Sequence, residues 1–235
     1  MATLDTKHYQ EYNPSIKFPE KGYWYVNDPL YGVIFDDYKK CQHLDPKIHE
    51  VGAGSAIVSE ILLSKGYKNL TVSDIHDYRL YSRAKKLPFY KINLDFDQLP
   101  FGENSIDIIS AGNLVEHLEN PFYFYREAFR VLKPGGQLII TMVIGWNLIS
   151  RFLFLRRNKI EGYHSKNHVT FQPKDKFEYA TRMFNPIKKF YEQRKALHIF
   201  GVRIPWRFPR TERWSTRMCI VLEKPKKKNI PIARY

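Results

Sequence analysis

From Lys47 to Val143 the chain alternates between short apolar runs and stretches with apolar residues at helical spacing. The runs are KIHEV, LTVSD, PFYKIN, SIDIIS and QLIITMVI, each of strand length and each followed by a turn signal or a helix-like segment. Between them, AIVSEILLSKG closes on Gly66, which suits a helix C′ position. PFYFYREAFRVLKPGG opens with Pro121 in a first helical turn and is read to stop at Pro134-Gly135-Gly136. Strands that alternate with helices require parallel pairing through right-handed crossovers, with both sheet faces covered. The pattern therefore predicts an α/β doubly wound sheet.

The other segments divide the chain of 235 residues. Residues 1–45 are rich in aromatic and turn residues and read as a cap on the substrate side. Residues 46–223 read as the main domain, with an insertion at 145–185, and residues 224–235 as a basic tail. A chain of this size buries enough surface to need no staple. Cys41 and Cys219 are the two cysteines and lie far apart, so a disulfide scaffold and a zinc ribbon are excluded. The polar start MATLDTKHYQEYNPS shows no secretory signal. The longest apolar stretch, Leu138 to Trp146, is about half of the roughly 20 residues that a membrane span needs. The expectation is a cytoplasmic protein.

Charge is divided unevenly. Residues 1–145 carry 16 basic and 18 acidic residues, whereas residues 146–235 carry 22 basic and 6 acidic. A near-neutral module joined to so basic a segment suggests an anionic partner: phosphate, nucleic acid or a membrane surface.

The sharpest local signal is EVGAGSA, residues 50–56, between the first strand and the first helix. Gly52 and Gly54 let the backbone turn tightly and approach a ligand with no Cβ in the way. A dinucleotide loop would want a third glycine at position 57, where this chain has the bulky Ile57. Glu50 places a carboxylate where pyrophosphate would be repelled and a cationic amine welcomed. Asp74 ends the second strand, 20 residues after Gly54, where a carboxylate can accept both ribose hydroxyls of a nucleoside. Asp95 follows the third strand and can either accept from an adenine amino group or cap a loop, with Phe96 or Ile75 against the ring.

Taken together, these residues resemble the class I S-adenosylmethionine-dependent methyltransferases. EVGAGSA is similar to that family's first motif, Asp74 to its ribose-binding acid, and NLDFDQLPFGENSIDIISAGNLVEHL to the stretch leading into the fourth strand. REAFRVLKPGGQLII is similar to the helix and fifth strand that close the motif set. The resemblance covers about residues 45–145, with Ala56 in place of a third glycine. It implies a Rossmann-like fold with a mostly parallel seven-stranded sheet and S-adenosyl-L-methionine as cofactor. It also implies that Glu50, Gly52 and Gly54 face the methionine end, Asp74 the ribose, Asp95 and Phe96 the adenine and Asn113 the sulfonium, with Ala53 and Ile75 also cofactor-binding.

Methyl transfer from a sulfonium is an in-line displacement, so the protein must align the acceptor and exclude water. A hydroxyl acceptor also gains from a general base, for which His117, His168 and His164 are the candidates. His164 and His168, four apart, could share a helix face; no third ligand is placed by the sequence, so no metal is assigned. In GWNLISRFLFLRRNKI, residues 145–160, the apolar residues Leu148, Ile149, Phe152, Leu153 and Leu155 fall on one side. Asn147, Ser150, Arg151 and Arg157 tend to the other. Three readings stand open: a helix covering the sheet, a substrate lid, or an interfacial helix on anionic lipid. HVTFQPKDKFEYATRM is loosely similar to a stretch of methyltransferases with glycan and lipid-linked acceptors.

The first expectation is O-methylation of a small anionic acceptor, such as a sugar, nucleotide-linked sugar or lipid-linked glycan. The second is an RNA methyltransferase, with Trp206, Phe208 and Trp214 interleaved among basic residues for stacking and phosphate contact. Against it, there is no separate RNA-binding module and no Asn-Pro-Pro-aromatic tetrad. The third is a non-catalytic nucleoside-binding protein, against which stand the intact Glu50, Asp74 and Asp95.

Overall fold

The computed structural model describes residues 46–157, 168–192, 196–199, 202–205 and 208–226. The N-terminal segment 1–45, His164, Trp206 and most of the basic tail lie outside them. Strands β1 (Ile48–Val51), β2 (Leu70–Asp74), β3 (Phe89–Lys91), β4 (Ile106–Gly112) and β5 (Leu132–Val143) pair in parallel. Two later strands, β6 (Asn185–Tyr191) and β9 (Arg217–Glu223), complete a seven-stranded sheet of order β3-β2-β1-β4-β5-β9-β6. β9 runs antiparallel to both β5 and β6. A short antiparallel pair, β7 (Ala196–Ile199) and β8 (Val202–Pro205), forms a separate ribbon.

Parallel strands buried on both faces put successive apolar side chains on opposite sides. Ile108, Ile139, Cys219 and Val221 pack with helix α1 (Ile57–Ser64) through Ile57, Val58 and Leu62. Their neighbours Ile109, Ile140, Met218 and Ile220 face the other way, onto Phe124, Tyr125, Ala128 and Val131 of helix α2 (Pro121–Val131). Phe177 and Ala180 of helix α4 (Lys174–Ala180) join that second layer. The doubly wound sheet is thus as the alternation implied.

Three local readings are corrected. Helix α2 ends at Val131 rather than at Pro134-Gly135-Gly136, because Leu132 is already extended (φ −67°, ψ 138°) and pairs with Ile106. Residues 133–136 then form an irregularity in β5, with Gly135 at φ +83°. Lys224, assigned to the tail, belongs to the fold: its Nζ donates to Asn104 Oδ1 at 2.8 Å and to the carbonyls of Phe129 and Leu132 at 2.5 and 2.8 Å. It thereby satisfies carbonyls at the end of α2 that the helix leaves unpaired.

The third correction concerns helix α3 (Leu148–Arg157). The apolar side chains described on it are exposed, as is Arg151. Asn147 and Ser150 are buried, while Leu148, Phe152, Phe154 and Leu155 are exposed, Leu155 at 86%. Asn147 is the N-cap: its Oδ1 accepts from Ser150 N at 2.8 Å, and its Nδ2 donates to Ile144 O and Ser150 Oγ, each at 3.0 Å. This capping cluster turns the polar side of the helix start towards the sheet. The reading of α3 as a helix that covers the sheet through Leu148, Phe152 and Leu155 does not hold.

Candidate functional site

In the order β3-β2-β1-β4-β5, direction of travel across the sheet reverses between β1 and β4. Open α/β sheets bind ligands outside the carboxyl ends of the strands at such a reversal. The loops that meet there are the glycine loop after β1, the end of β2, and the turn after β4.

The glycine loop is built from left-handed residues: Gly52 at φ +58°, Gly54 at +51° and Ala56 at +59°. Ala56, the departure from a third glycine, therefore adopts the same backbone region that glycine would. A Cβ at Gly52 would come within 2.6 Å of a Leu114 methyl, so the loop presses on the turn after β4. A Cβ at Gly54 would meet nothing within 4 Å, which leaves that backbone open to a ligand. Ala53 is buried and donates its N–H to Ser73 O at 3.0 Å, fixing the loop against β2.

The carboxylates around this loop already have structural partners. Glu50 is buried, and its Oε2 accepts from Ser59 N at 2.9 Å and from the Ser59 hydroxyl. Burial pushes its pKa up to about 7, with the Ser59 bonds opposing. Asp74 Oδ2 accepts from Gly54 N at 2.8 Å and its Oδ1 from Ile75 N at 2.7 Å. Burial raises its pKa as well, against those two bonds. A carboxylate has about four lone-pair sites, so these bonds leave acceptor capacity for hydroxyls. Asp95 Oδ1 accepts from Asn120 N at 2.7 Å, the loop-capping role weighed for it, and burial raises its pKa. Phe96 beside it is 58% exposed, a free aromatic face at the rim.

Asn113 follows β4 at φ +47°, and its Oδ1 lies 3.5 Å from Arg217 Nη2. Beyond it, His117 and His168 meet with ring centroids 4.8 Å apart and planes inclined by 74°. The structure therefore joins two of the three candidate histidines; His164 is outside the described residues. It also adds a residue that the sequence reading passed over. Glu116, next to His117, is 1% exposed, and among the described residues neither of its oxygens has a hydrogen-bond partner. Burial pushes its pKa to about 7; the amides of Glu116 and Val143 and the Arg217 charge are near enough to oppose that, without reaching bonding geometry. Nothing in NLVEHL distinguishes a buried glutamate from one at the surface.

The residues present fit an adenosyl sulfonium ligand: an open Gly54 backbone, an acid ending β2 and an exposed aromatic face surround one edge of the sheet. Residues 49–140 match the family described as the methyltransferase domain. A demethylmenaquinone methyltransferase of Chlorobaculum parvum is 30% identical over 113 residues, covering 47% of this chain and 47% of its own length. The chloroplastic 2-methyl-6-phytyl-1,4-hydroquinone methyltransferase of Arabidopsis thaliana is 32% identical over 116 residues, covering 47% of this chain and 34% of its own. The chain spans about half or less of these relatives' length. Among solved structures, a SAM-dependent methyltransferase of Methanosarcina mazei aligns with a TM-score of 0.55 at 20% identity, over 83% of this chain and 98% of that one. That likeness shows the fold.

Proposed function

We propose that this chain, whose residues 49–140 match the methyltransferase-domain family, is a class I S-adenosyl-L-methionine-dependent methyltransferase that transfers a methyl group to an oxygen of a small, lipid-linked acceptor. The observation that carries the cofactor half is the open backbone of Gly54 bonded to the Asp74 carboxylate at the sheet's reversal point. There Asp74 would hold the ribose, Phe96 the adenine, and Glu50, shared with Ser59, the methionine ammonium. S-Adenosylmethionine supplies an already activated methyl, so this chain's work is alignment of the acceptor and exclusion of water.

For the acceptor half, the support is the turn after β4. Leu114 touches Gly52, and two residues later Glu116 and His117 meet His168, three groups suited to weakening an acceptor O–H. The exposed apolar side of α3, with Arg151 also exposed, suits contact with an anionic lipid surface, as does the 22-to-6 excess of basic residues after position 145. The two curated relatives are named for quinone and hydroquinone acceptors, one of them phytylated. A small ring or sugar on an apolar tail fits all three.

The test uses methyl-labelled S-adenosylmethionine, the purified chain and separate lipid and RNA extracts. Label is expected in the organic phase; label in RNA instead would overturn the acceptor class. Asp74→Ala is expected to weaken S-adenosylhomocysteine binding by about 2–3 kcal/mol, or roughly 30- to 150-fold. Unchanged affinity by calorimetry would overturn the cofactor site.

A further inference from the structure

We propose that Glu116, His117 and His168 bind a divalent transition-metal cation. One ligand atom from each lies within 4.8 Å of the other two. Metal–ligand bonds of about 2.0–2.2 Å set ligand atoms roughly 3–4 Å apart, so closing on a cation requires shifts of about 1 Å. The buried Glu116 carboxyl is the second observation. It is 1% exposed, with neither oxygen satisfied among the described residues, and a buried carboxylate without a partner is costly. A cation between it and the two imidazoles would supply the missing partner.

The arrangement is held by the fold and does not need the metal to form. Thr170 N donates to Glu116 O at 3.2 Å, and the Thr170 hydroxyl donates to Leu118 O. Gln172 Nε2 reaches Val115 O at 3.5 Å, and Gln172 Oε1 accepts from Tyr125 OH of α2 at 2.9 Å. These contacts bind the segment carrying His168 to the turn carrying Glu116 and His117. One carboxylate and two imidazoles suit zinc, cobalt, iron or manganese, whereas an all-oxygen set would suit magnesium or calcium. Three protein ligands leave at least one coordination position open. Because this turn abuts Gly52 through Leu114, the open position is suited to an acceptor oxygen, whose O–H the metal would acidify. Only that role rests on the methyl-transfer reading; the binding rests on the ligand geometry.

The experiment is a Co²⁺ titration of the metal-free full-length chain, followed by visible d–d absorption and reversed by Zn²⁺. One saturable equivalent is expected. Glu116→Gln, His117→Asn and His168→Asn should each weaken it by more than the roughly 10- to 100-fold typical of outer-shell substitutions. His198→Asn, on β7, should leave it unchanged. S-Adenosylhomocysteine affinity, measured by calorimetry on the same variants, reports the fold and the cofactor site separately. The absence of a saturable cobalt spectrum in the unaltered chain would overturn the proposal, and so would its survival in all three ligand variants. Cobalt binding without S-adenosylhomocysteine binding would leave the metal site standing and sink the cofactor assignment.

Discussion

Single residues carry both what the sequence discloses and what it hides. Gly52 and Gly54 are legible because a missing side chain has few other uses between a strand and a helix, and both take positive φ. Asp95 is less so: its partner, the amide of Asn120, lies 25 residues on. His49 shows the limit. It sits inside the apolar run KIHEV, buried, with Thr71 Oγ1 and Ser73 Oγ of β2 at 2.8 and 2.9 Å from its two ring nitrogens. Only the β1–β2 register could have found those partners. Burial lowers its pKa to about 3. Glu50 offers a test of sign. Its pKa is about 7 in the fold against 4.5 as the ordinary value, so the folded chain holds an extra proton between those limits. Its contribution to stability is therefore present below about pH 4.5 and lost as pH rises towards 7, by at most about 1.4 kcal/mol per unit. Glu50→Gln has no such dependence. Thermal melts at about pH 5 and about pH 8 should show the variant gaining on the unaltered chain at the higher pH; an equal difference at both would refute the buried, protonated Glu50.

At the scale of elements, periodicity located α1, α2 and the five parallel strands but left open which way α3 faces. Helical spacing sorts residues into two sides without saying which side meets the protein. The deciding fact is the Asn147 cap, whose Nδ2 bonds to Ile144 O and so draws Ser150 inward. That leaves Phe152 at 59% and Leu155 at 86% exposure, beside the exposed Arg151. Surface substitutions at such positions usually change stability by no more than about 0.5 kcal/mol. Phe152→Asp and Leu155→Asp should therefore melt like the unaltered chain yet lose co-sedimentation with phosphatidylglycerol vesicles at high salt, where the apolar part of binding remains. Equal co-sedimentation of both variants would remove α3 from any membrane contact. β6 was missed for a different reason. Its NPIKKFY is an edge strand with Ile187 and Lys189 exposed, and edge strands carry charge that breaks the apolar pattern.

For the molecule as a whole, the charge boundary near residue 145 suggests two modules, and the sheet contradicts it. β9, from the basic half, lies between β5 and β6, with Met218, Ile220, Val221 and Leu222 all buried. Its two faces serve both core layers: Val221 packs on the α1 side, and Ile220 and Leu222 on the α2 side. Burial of those four side chains contributes on the order of 6–12 kcal/mol, at about 1.5–3 kcal/mol each. A whole domain has a net stability of only about 5–15 kcal/mol. A fragment ending at residue 145 keeps every residue of the glycine loop, Asp74 and Asp95, yet it would lose that strand and also Phe177, Ala180 and Phe184 from the second layer. It should show no cooperative thermal transition and no S-adenosylhomocysteine binding, while a chain ending at residue 226 should melt as the full chain does. Cooperative melting of the shorter fragment would mean that the near-neutral half folds by itself. β9 would then be an accessory strand, and the basic half a separable unit.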